Sequence, residues 1–420
     1  MASGADRISD LPEDVLHHIL SLLPARDAVL TVRFAPFVDG LLRVRRGGPR
    51  LRSCDFDLDV VDLDPCRFDL ELHGNSWIRR VLQLNVREFR FRVSSNLSRR
   101  PFELDDTPLS SQHLTSLELT GVDGIDLDFS GCPALHSLKM EASHVRSLEM
   151  RSPSLKHLSI KYCCFYPECR TEMSFPSLVS FEFITNSGRA PILERMPYLE
   201  TAKVRFDHDH VCDDRCINGR LEDCGDDDCC CCFYYHGHHD SGSGSVFLQG
   251  LAEATYLNLS AYPDMYVFNR DLKWCPAFNK LKTLVLSKWF LSTDFSPLIW
   301  IRHHSPLLEK LTLEIPKEHK SLMETEGSYN PWEKLIAPSH LQIVEIICKD
   351  VDGIVLKVFK LSIRVTKPSV IGNQVLILCV LISTPSRSEK CQAVDDSSRL
   401  LKQSDTKTTI RVYNSVCFSL

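Results

Sequence analysis

Cysteine and histidine are concentrated in residues 207–245, so metal or thiol chemistry would be expected there first. The segment reads DHDHVCDDRCINGRLEDCGDDDCCCCFYYHGHHDSGSGS and holds 7 of the 18 cysteines together with 5 histidines. Cys212–Cys216 and Cys229–Cys232 have spacings compatible with zinc binding. The ligand set could be completed by His236, His238 and His239. A Cys–His pair for nucleophilic catalysis would in addition need a base fixed beside a thiolate.

The composition of this segment favours a flexible loop over a metal centre. Side chains of four adjacent cysteines cannot all converge on one tetrahedral ion, and no apolar residues surround them to hold ligand geometry. The segment is acidic and ends in Gly and Ser, as inserted linkers do. We therefore predict no metal and no cofactor, and keep a metal-binding protein that uses this loop as a second alternative.

The rest of the sequence offers no catalytic motif. It has no Gly-rich phosphate loop, no paired catalytic carboxylates with helical support and no G-x-S-x-G, so we predict that the protein is not an enzyme. The 420 residues carry a net charge of -6 with a pI near 6.2, which gives no electrostatic case for nucleic acid.

Residues 8–24, ISDLPEDVLHHILSLLP, predict a short amphipathic helix near the start of the chain. Asp10 can cap it, Pro12 suits its first turn, and Pro24 ends it. The apolar residues recur at i, i+4 and i+7 and form a broad face: Val15, Leu16, Ile19, Leu20, Leu22 and Leu23. Because so short a helix is marginal alone, it must dock on another surface.

Leucine-rich units recur along the middle of the chain. HLTSLELTG at 113–121 has the pattern L-x-x-L-x-L, and VREFRFRV at 86–93 is a plausible first member. The phasing returns at Leu135/Leu138/Met140, Val145/Leu148/Met150, Leu155/Leu158/Ile160, Leu178/Phe181/Phe183, Leu199/Ala202/Val204, Leu281/Leu284/Leu286, Leu308/Leu311/Leu313 and Leu341/Val344/Ile346. Most steps are about 20 to 27 residues, close to the leucine-rich-repeat period.

These units predict an α/β fold, a curved leucine-rich-repeat solenoid of short, mainly parallel strands. No unit can bury its leucines alone, whereas stacked units form one continuous core. Prolines that set a turn precede many strands, at Pro133, Pro153, Pro176, Pro197 and Pro306. We expect Leu117, Leu138, Leu158 and Leu284 to lie on equivalent strands.

The segment ISDLPEDVLHHILSLLPARDAV resembles the first half of the F-box, the adaptor-binding motif of SCF-type ubiquitin ligases. The resemblance implies that this helix binds in a groove of a Skp-type adaptor. The implied contact residues are Leu11, Pro12, Val15, Leu16, Ile19, Leu20, Leu23 and Pro24. The third F-box helix, with its Cys-Val-(Leu/Ser)-x-(Arg/Lys)-x-Trp pattern, does not follow, and Trp77 is the first tryptophan. The F-box is therefore interpreted as truncated.

Over about residues 6–361 the chain resembles plant F-box proteins with leucine-rich repeats. The segments that carry the likeness are WIRRVLQLNVREFRF, CPALHSLKM, SPSLKHLSI and SHLQIVEIICKDVDGIVLKVFKL, the last similar to the start of an FBD region. The predicted organisation is a partial F-box at 6–32, repeats at 75–361 with an FBD-like segment from about 332, the inserted loop at 207–245, and a divergent, partly disordered tail at 362–420.

The resemblance implies a substrate-recognition subunit of an SCF-type E3 ubiquitin ligase. Its partners would be the Skp-type adaptor and an unknown target protein held by the strand face or the connecting loops, with no nucleic acid and no membrane. The first alternative is a leucine-rich-repeat binding module uncoupled from the ligase. No signal peptide is evident and the longest late apolar run, at 370–382, is too short to span a membrane, so we expect an intracellular protein of nucleus and/or cytoplasm.

Overall fold

The computed structural model describes most of the repeat region and part of each flank. The described residues are 34–45, 51–59, 65–94, 101–124, 126–166, 170–184, 186–206, 247–261, 271, 276–291, 296–316, 340–348, 353, 355 and 358, with the strands at 376–383 and 409–416. The predicted F-box at 6–32 and the Cys-rich segment at 207–245 lie outside these residues.

Among the described residues are three α-helices and many short strands. The helices are α1 (Phe34–Arg45), α2 (Pro65–Gln83) and α3 (Ser296–His303). The strands are β1 (Ser53–Asp59), β2 (Glu88–Ser94), β3 (Phe102–Glu103), β4 (Ser116–Thr120), β5 (Val122–Gly124), β6 (Leu127–Asp128), β7 (Ser137–Glu141), β8 (His144–Val145), β9 (Glu149–Arg151), β10 (His157–Lys161), β11 (Cys164–Phe165), β12 (Glu172–Ser174), β13 (Ser180–Ile184), β14 (Ile192–Leu193), β15 (Thr201–Arg205), β16 (Tyr256–Ala261), β17 (Thr283–Lys288), β18 (Lys310–Glu314), β19 (Ile343–Cys348), β20 (Leu376–Ser383) and β21 (Thr409–Val416).

The main sheet joins thirteen of the described strands, all paired in parallel. Its order is β1-β2-β4-β7-β10-β13-β15-β16-β17-β18-β19-β20-β21. Leu117 pairs with Leu138, and Leu138 with Leu158. The same row continues through Phe181, Ala202 and Leu257 to Leu284. The prediction that these leucines occupy equivalent strands is confirmed, as is the α/β class with mainly parallel strands.

A proline turn leads into many of these strands. Leu135 N–H donates to Cys132 O at 3.0 Å, and Leu178 N–H donates to Phe175 O at 3.1 Å, which closes a β-turn with proline at its second position. Proline suits that position because its fixed φ matches the turn. Leu135 and Leu178 are fully buried, so the turn delivers the first leucine of each unit to the core.

A doubly accepting carbonyl fixes the register at the start of each strand. Thr115 O, for example, accepts N–H groups from His136 at 2.9 Å and Ser137 at 3.1 Å. The same bifurcated arrangement is made by the carbonyls of Arg52, Arg87, Thr115, His136, Lys156, Val179, Glu200, Thr255, Lys282 and Glu309. The residue that precedes each strand therefore occupies an equivalent position from one unit to the next.

Two smaller parallel sheets, each of four short strands, lie in the connections between main strands. Their orders are β11-β8-β5-β3 and β14-β12-β9-β6. The predicted unit Val145/Leu148/Met150 is wrong, because Val145 belongs to β8, Met150 to β9, and Leu148 is 57% exposed. Its apolar residues serve the two small sheets, which explains the half-length step in the repeat pattern.

The main sheet is longer than the leucine pattern indicates. β1 starts at Ser53, upstream of residue 75, where the sequence places the start of the repeats. β16 supplies a unit with Ala254, Leu257 and Leu259 that the pattern misses, because alanine replaces its first leucine. β20 and β21 in the tail pair in parallel with β19 and with each other.

The N-terminal helices pack on each other and cover one end of the core. On α1, Val38 and Leu42 are buried at i and i+4, and on α2 Trp77 is fully buried. Asp39 accepts hydrogen bonds from Trp77 Nε1 at 3.2 Å and from an Arg80 guanidinium nitrogen at 2.6 Å. Trp77 is thus a core residue whose polar edge has a partner.

Glycine is required at position 121, immediately after β4. Gly121 has φ +69, and a Cβ there would collide with the backbone carbonyl oxygen of Val93. We expect Gly121→Ala to lower the free energy of unfolding by about 1 to 3 kcal/mol, measured by denaturant titration. Ala142 has φ 47 at the corresponding position after β7, so Ala142→Gly is the matched control. This variant should change the free energy of unfolding by less than about 1 kcal/mol. Equal losses in both variants would contradict this reasoning.

The inserted segment leaves and re-enters the fold at neighbouring points. Phe206 and Phe247, which flank it, are both buried with ring centroids 5.6 Å apart. Deleting residues 209–244 and joining the ends through a short Gly/Ser linker should therefore keep or slightly raise the melting temperature, because a shorter loop costs less entropy to close. A large fall in melting temperature, or unfolding of the intact protein by a chelator, would instead support the zinc interpretation.

Candidate functional site

The side chains on the outer face of the main sheet form an array of regularly spaced, mostly polar groups. Strand residues alternate, so in β4 Leu117 and Leu119 face the core and their neighbours face outward. We define the outer face by the outward positions of β1 to β18: Asp55, Asp57, Arg90, Arg92, Glu118, Thr120, Lys139, Glu141, Ser159, Lys161, Glu182, Ile184, Lys203, Arg205, Asn258, Ser260, Val285, Ser287, Thr312 and Glu314. Their spacing is set by the strand register.

Ion pairs across neighbouring strands cover the first part of the outer face. Arg90 contacts Asp55 at 3.1 Å and Glu118 at 3.4 Å. Arg92 contacts the same Glu118 at 2.9 Å and Asp57 at 3.8 Å. Such partly exposed pairs add little stability singly, but they fix the side chains in a defined pattern of charge.

A second cluster centres on Glu182. Lys161 lies 2.8 Å and Lys203 3.6 Å from its carboxylate, and Ser159 donates a hydrogen bond at 2.9 Å. Burial pushes the pKa of Glu182 upward, but the hydrogen bonds and the two lysine charges outweigh burial and lower the pKa overall. The carboxylate therefore stays ionised at neutral pH and is a fixed acceptor, not a proton donor.

The outer face loses its charges on β16 and β17. Asn258, Ser260, Val285 and Ser287 stand at these positions, and all of them except Asn258 are buried, so this part of the face offers little surface to a partner. Next to the defined positions, Lys310 on β18 contacts Glu345 on β19 at 3.0 Å, and Thr312 donates a hydrogen bond to Glu345 at 3.1 Å. An array of paired charges at fixed positions can recognise a surface of complementary charge.

Three of the described cysteines, Cys54, Cys132 and Cys163, are poor nucleophiles. Burial, reinforced by the charge of Asp55, raises the pKa of Cys54 to about 12, and burial raises the pKa of Cys163 to about 12. Burial likewise raises the pKa of Cys132, whose thiol donates to Leu109 O at 3.3 Å. Thiols held protonated do not attack substrates or bind metals. Within the described residues, no group of three or more His, Cys, Asp or Glu side chains is placed to hold a metal ion.

The predicted adaptor-binding residues, from Leu11 to Pro24, lie outside the described residues, so their contacts stay predictions. The predicted target surface, on the strand face or the connecting loops, also stays a prediction, and the outer face is the strand face in question. The sequence pattern assigns these side chains outward but does not reveal their ion pairs, because strand neighbours are about twenty or more residues apart in the chain. Among the described helices, none is long and apolar enough to cross a membrane.

Comparisons with known proteins give a family match for the N-terminal segment and similar proteins for most of the chain. Residues 8–34 match the F-box domain family. An Arabidopsis thaliana F-box/LRR-repeat protein is 26% identical over 381 residues, covering 79% of this chain and 80% of that protein. A second one is 34% identical over 136 residues, 32% of this chain and 30% of that protein. No solved structure gives a significant match. The predicted resemblance is confirmed: residues 8–34 match the F-box domain family, and the chain is similar to Arabidopsis F-box/LRR-repeat proteins.

Proposed function

We propose that this protein is a substrate-recognition subunit of an SCF-type E3 ubiquitin ligase. The observation that carries the proposal is the F-box match at residues 8–34, followed by a parallel sheet with an ordered polar outer face. The F-box/LRR relatives support a general role as an adaptor between ligase and substrate. The chain performs no chemistry in this role, since it holds a target while other subunits deliver ubiquitin.

The contact with the Skp-type adaptor is proposed for the apolar face of the N-terminal helix. Its residues are Leu11, Pro12, Val15, Leu16, Ile19, Leu20, Leu23 and Pro24. An amphipathic helix binds a partner groove through side chains at i, i+3 or i+4 and i+7, which is the spacing of this set. Because this adaptor is an intracellular protein, the proposed location of the chain is the nucleus and/or the cytoplasm.

The target protein is proposed to bind the outer face. Fixed charges at Arg90, Glu118 and Glu182 would set the orientation of a partner with complementary charges.

Co-purification tests the proposal against its closest rival. The full chain would be co-expressed with a plant Skp-type adaptor and isolated through a tag on the adaptor. We expect a stoichiometric complex on size-exclusion chromatography. A monomeric chain with no adaptor bound would favour the uncoupled leucine-rich-repeat binding module, in which the outer face still binds a partner but no ligase is engaged.

A further inference from the structure

An open pocket lies where the first three strands of the main sheet begin. It has a volume of about 340 Å³ and is lined by Leu51, Arg52, Asn85, Arg87 and His113. This volume is at the lower end of the range for small-molecule sites. The lining comes from three successive units, because Leu51 and Arg52 precede β1, Asn85 and Arg87 precede β2, and His113 precedes β4.

Arg52 and Arg87 occupy equivalent positions in neighbouring units. Ser53 pairs with Glu88, so the two arginines immediately precede partnered residues. Their backbones are fixed by the doubly accepting carbonyls, since Arg52 O accepts Arg87 N–H at 2.9 Å and Arg87 O accepts Thr115 N–H at 2.7 Å. Neighbouring parallel strands are about 4.8 Å apart, and like charges directly opposite each other are destabilising.

In later units of the sheet, the residues equivalent to Arg52 and Arg87 have opposite charges that neutralise each other. In the units of β17 and β18, Lys282 and Glu309 occupy these positions and form an ion pair at 3.2 Å. At the first two units, the ion pair found among the described residues joins Glu88 to Arg52, 3.8 Å from its Nε. Within the part of the chain that the structure describes, no carboxylate forms an ion pair with Arg87. The pocket therefore carries excess positive charge on an acidic protein.

We propose that this pocket binds a phosphate monoester. Two guanidinium groups on adjacent units can hold one phosphoryl group through paired, charge-assisted hydrogen bonds. Asn85 and His113 supply further donors at the rim, and Leu51 offers an apolar wall for the ester's organic part. The pocket has room for more than an inorganic phosphate ion. The proposal concerns a site outside the outer face and does not depend on the ligase role.

Titration calorimetry of the full chain at low ionic strength tests the proposal. The probes are inorganic phosphate, O-phospho-L-serine, L-serine and a phosphoserine peptide with its unphosphorylated form. We expect O-phospho-L-serine to bind more tightly than inorganic phosphate, L-serine not to bind, and added salt to weaken binding. Tighter binding of the phosphopeptide would assign the site to a phosphorylated protein, and equal affinity would assign it to a small ester.

Arg87→Gln is the diagnostic variant, and Lys282→Gln is its matched control at the equivalent position of a later unit. We expect Arg87→Gln to weaken phosphoserine binding about tenfold or more, and Lys282→Gln to leave it unchanged. Circular dichroism would establish that both variants fold. The proposal is overturned if no phosphate compound binds at millimolar concentration, or if the Arg52→Gln/Arg87→Gln double variant binds as the parent does.

Discussion

Replacing Phe183 by alanine should lower the free energy of unfolding by about 3 to 5 kcal/mol, as expected for a large core aromatic. Phe183 on β13 is fully buried, and its ring centroid lies 5.5 Å from Phe165 and 5.4 Å from Phe247. Its neighbours Phe181 and Phe206 complete a cluster that joins the units on both sides of the inserted segment. Loss of this ring removes buried area and aromatic contacts together and leaves a cavity that close-packed neighbours cannot fill.

Denaturant unfolding followed by circular dichroism measures the effect. Tyr198→Ala is the control, because this aromatic residue lies in the turn before β15 with 68% of its surface exposed, and its loss should change stability by less than about 0.5 kcal/mol. Two separate transitions in the Phe183→Ala protein would show that the solenoid has divided at β13. A loss no larger than that of the control would refute the assignment of Phe183 to the core.

The second large effect is expected at the N-terminal helix, where Leu16→Ala should weaken adaptor binding about ten- to a hundredfold. Full burial of a leucine is worth roughly 1.5 to 3 kcal/mol, and about 1.4 kcal/mol corresponds to a factor of ten in affinity. Leu16 follows the Leu11-Pro12 start and belongs to the apolar face. Calorimetric titration of the full chain with purified Skp-type adaptor gives the dissociation constant directly.

His17→Ala is the neighbouring control on the polar side of the helix and should leave adaptor affinity nearly unchanged. The same titration is repeated with a variant in which the missing third helix is supplied from a complete F-box. Binding by neither form would refute the adaptor role of residues 8–24. Binding by the restored form alone would identify the uncoupled binding module as the function of the natural chain.

Sequence reasoning predicts the main sheet because its signal is periodic and its core is apolar. Leu117, Leu138 and Leu158 are each separated from the next by about one repeat, and parallel stacking then follows from the need to bury them. β1 has the spacing in a weaker form, since Leu51 precedes Cys54 by three positions but Cys54 and Phe56 stand where the other units have leucines. Its pairing with β2 identifies it as part of the sheet.

The small sheets and the ion pairs of the candidate site could not be predicted in the same way. Strands of two or three residues, such as β8, are too short for any period, so Val145 and Leu148 mimic a leucine-rich unit. The contacts of Arg90 and Arg92 with Glu118 join residues 28 and 26 positions apart in the chain. They depend on the register between β2 and β4, which backbone hydrogen bonds set and local composition does not reveal.

The aspartates of β1 bear on self-association. β1 is the first strand in the described order of the main sheet, so one row of its backbone groups has no strand partner in that order. Asp55 and Asp57 are 54% and 67% exposed and alternate with the core-facing residues of this strand. If two copies approached through β1, aspartates would meet aspartates at close range, which opposes strand pairing. The same two residues that contact Arg90 and Arg92 therefore also discourage two copies from pairing through β1 into a dimer.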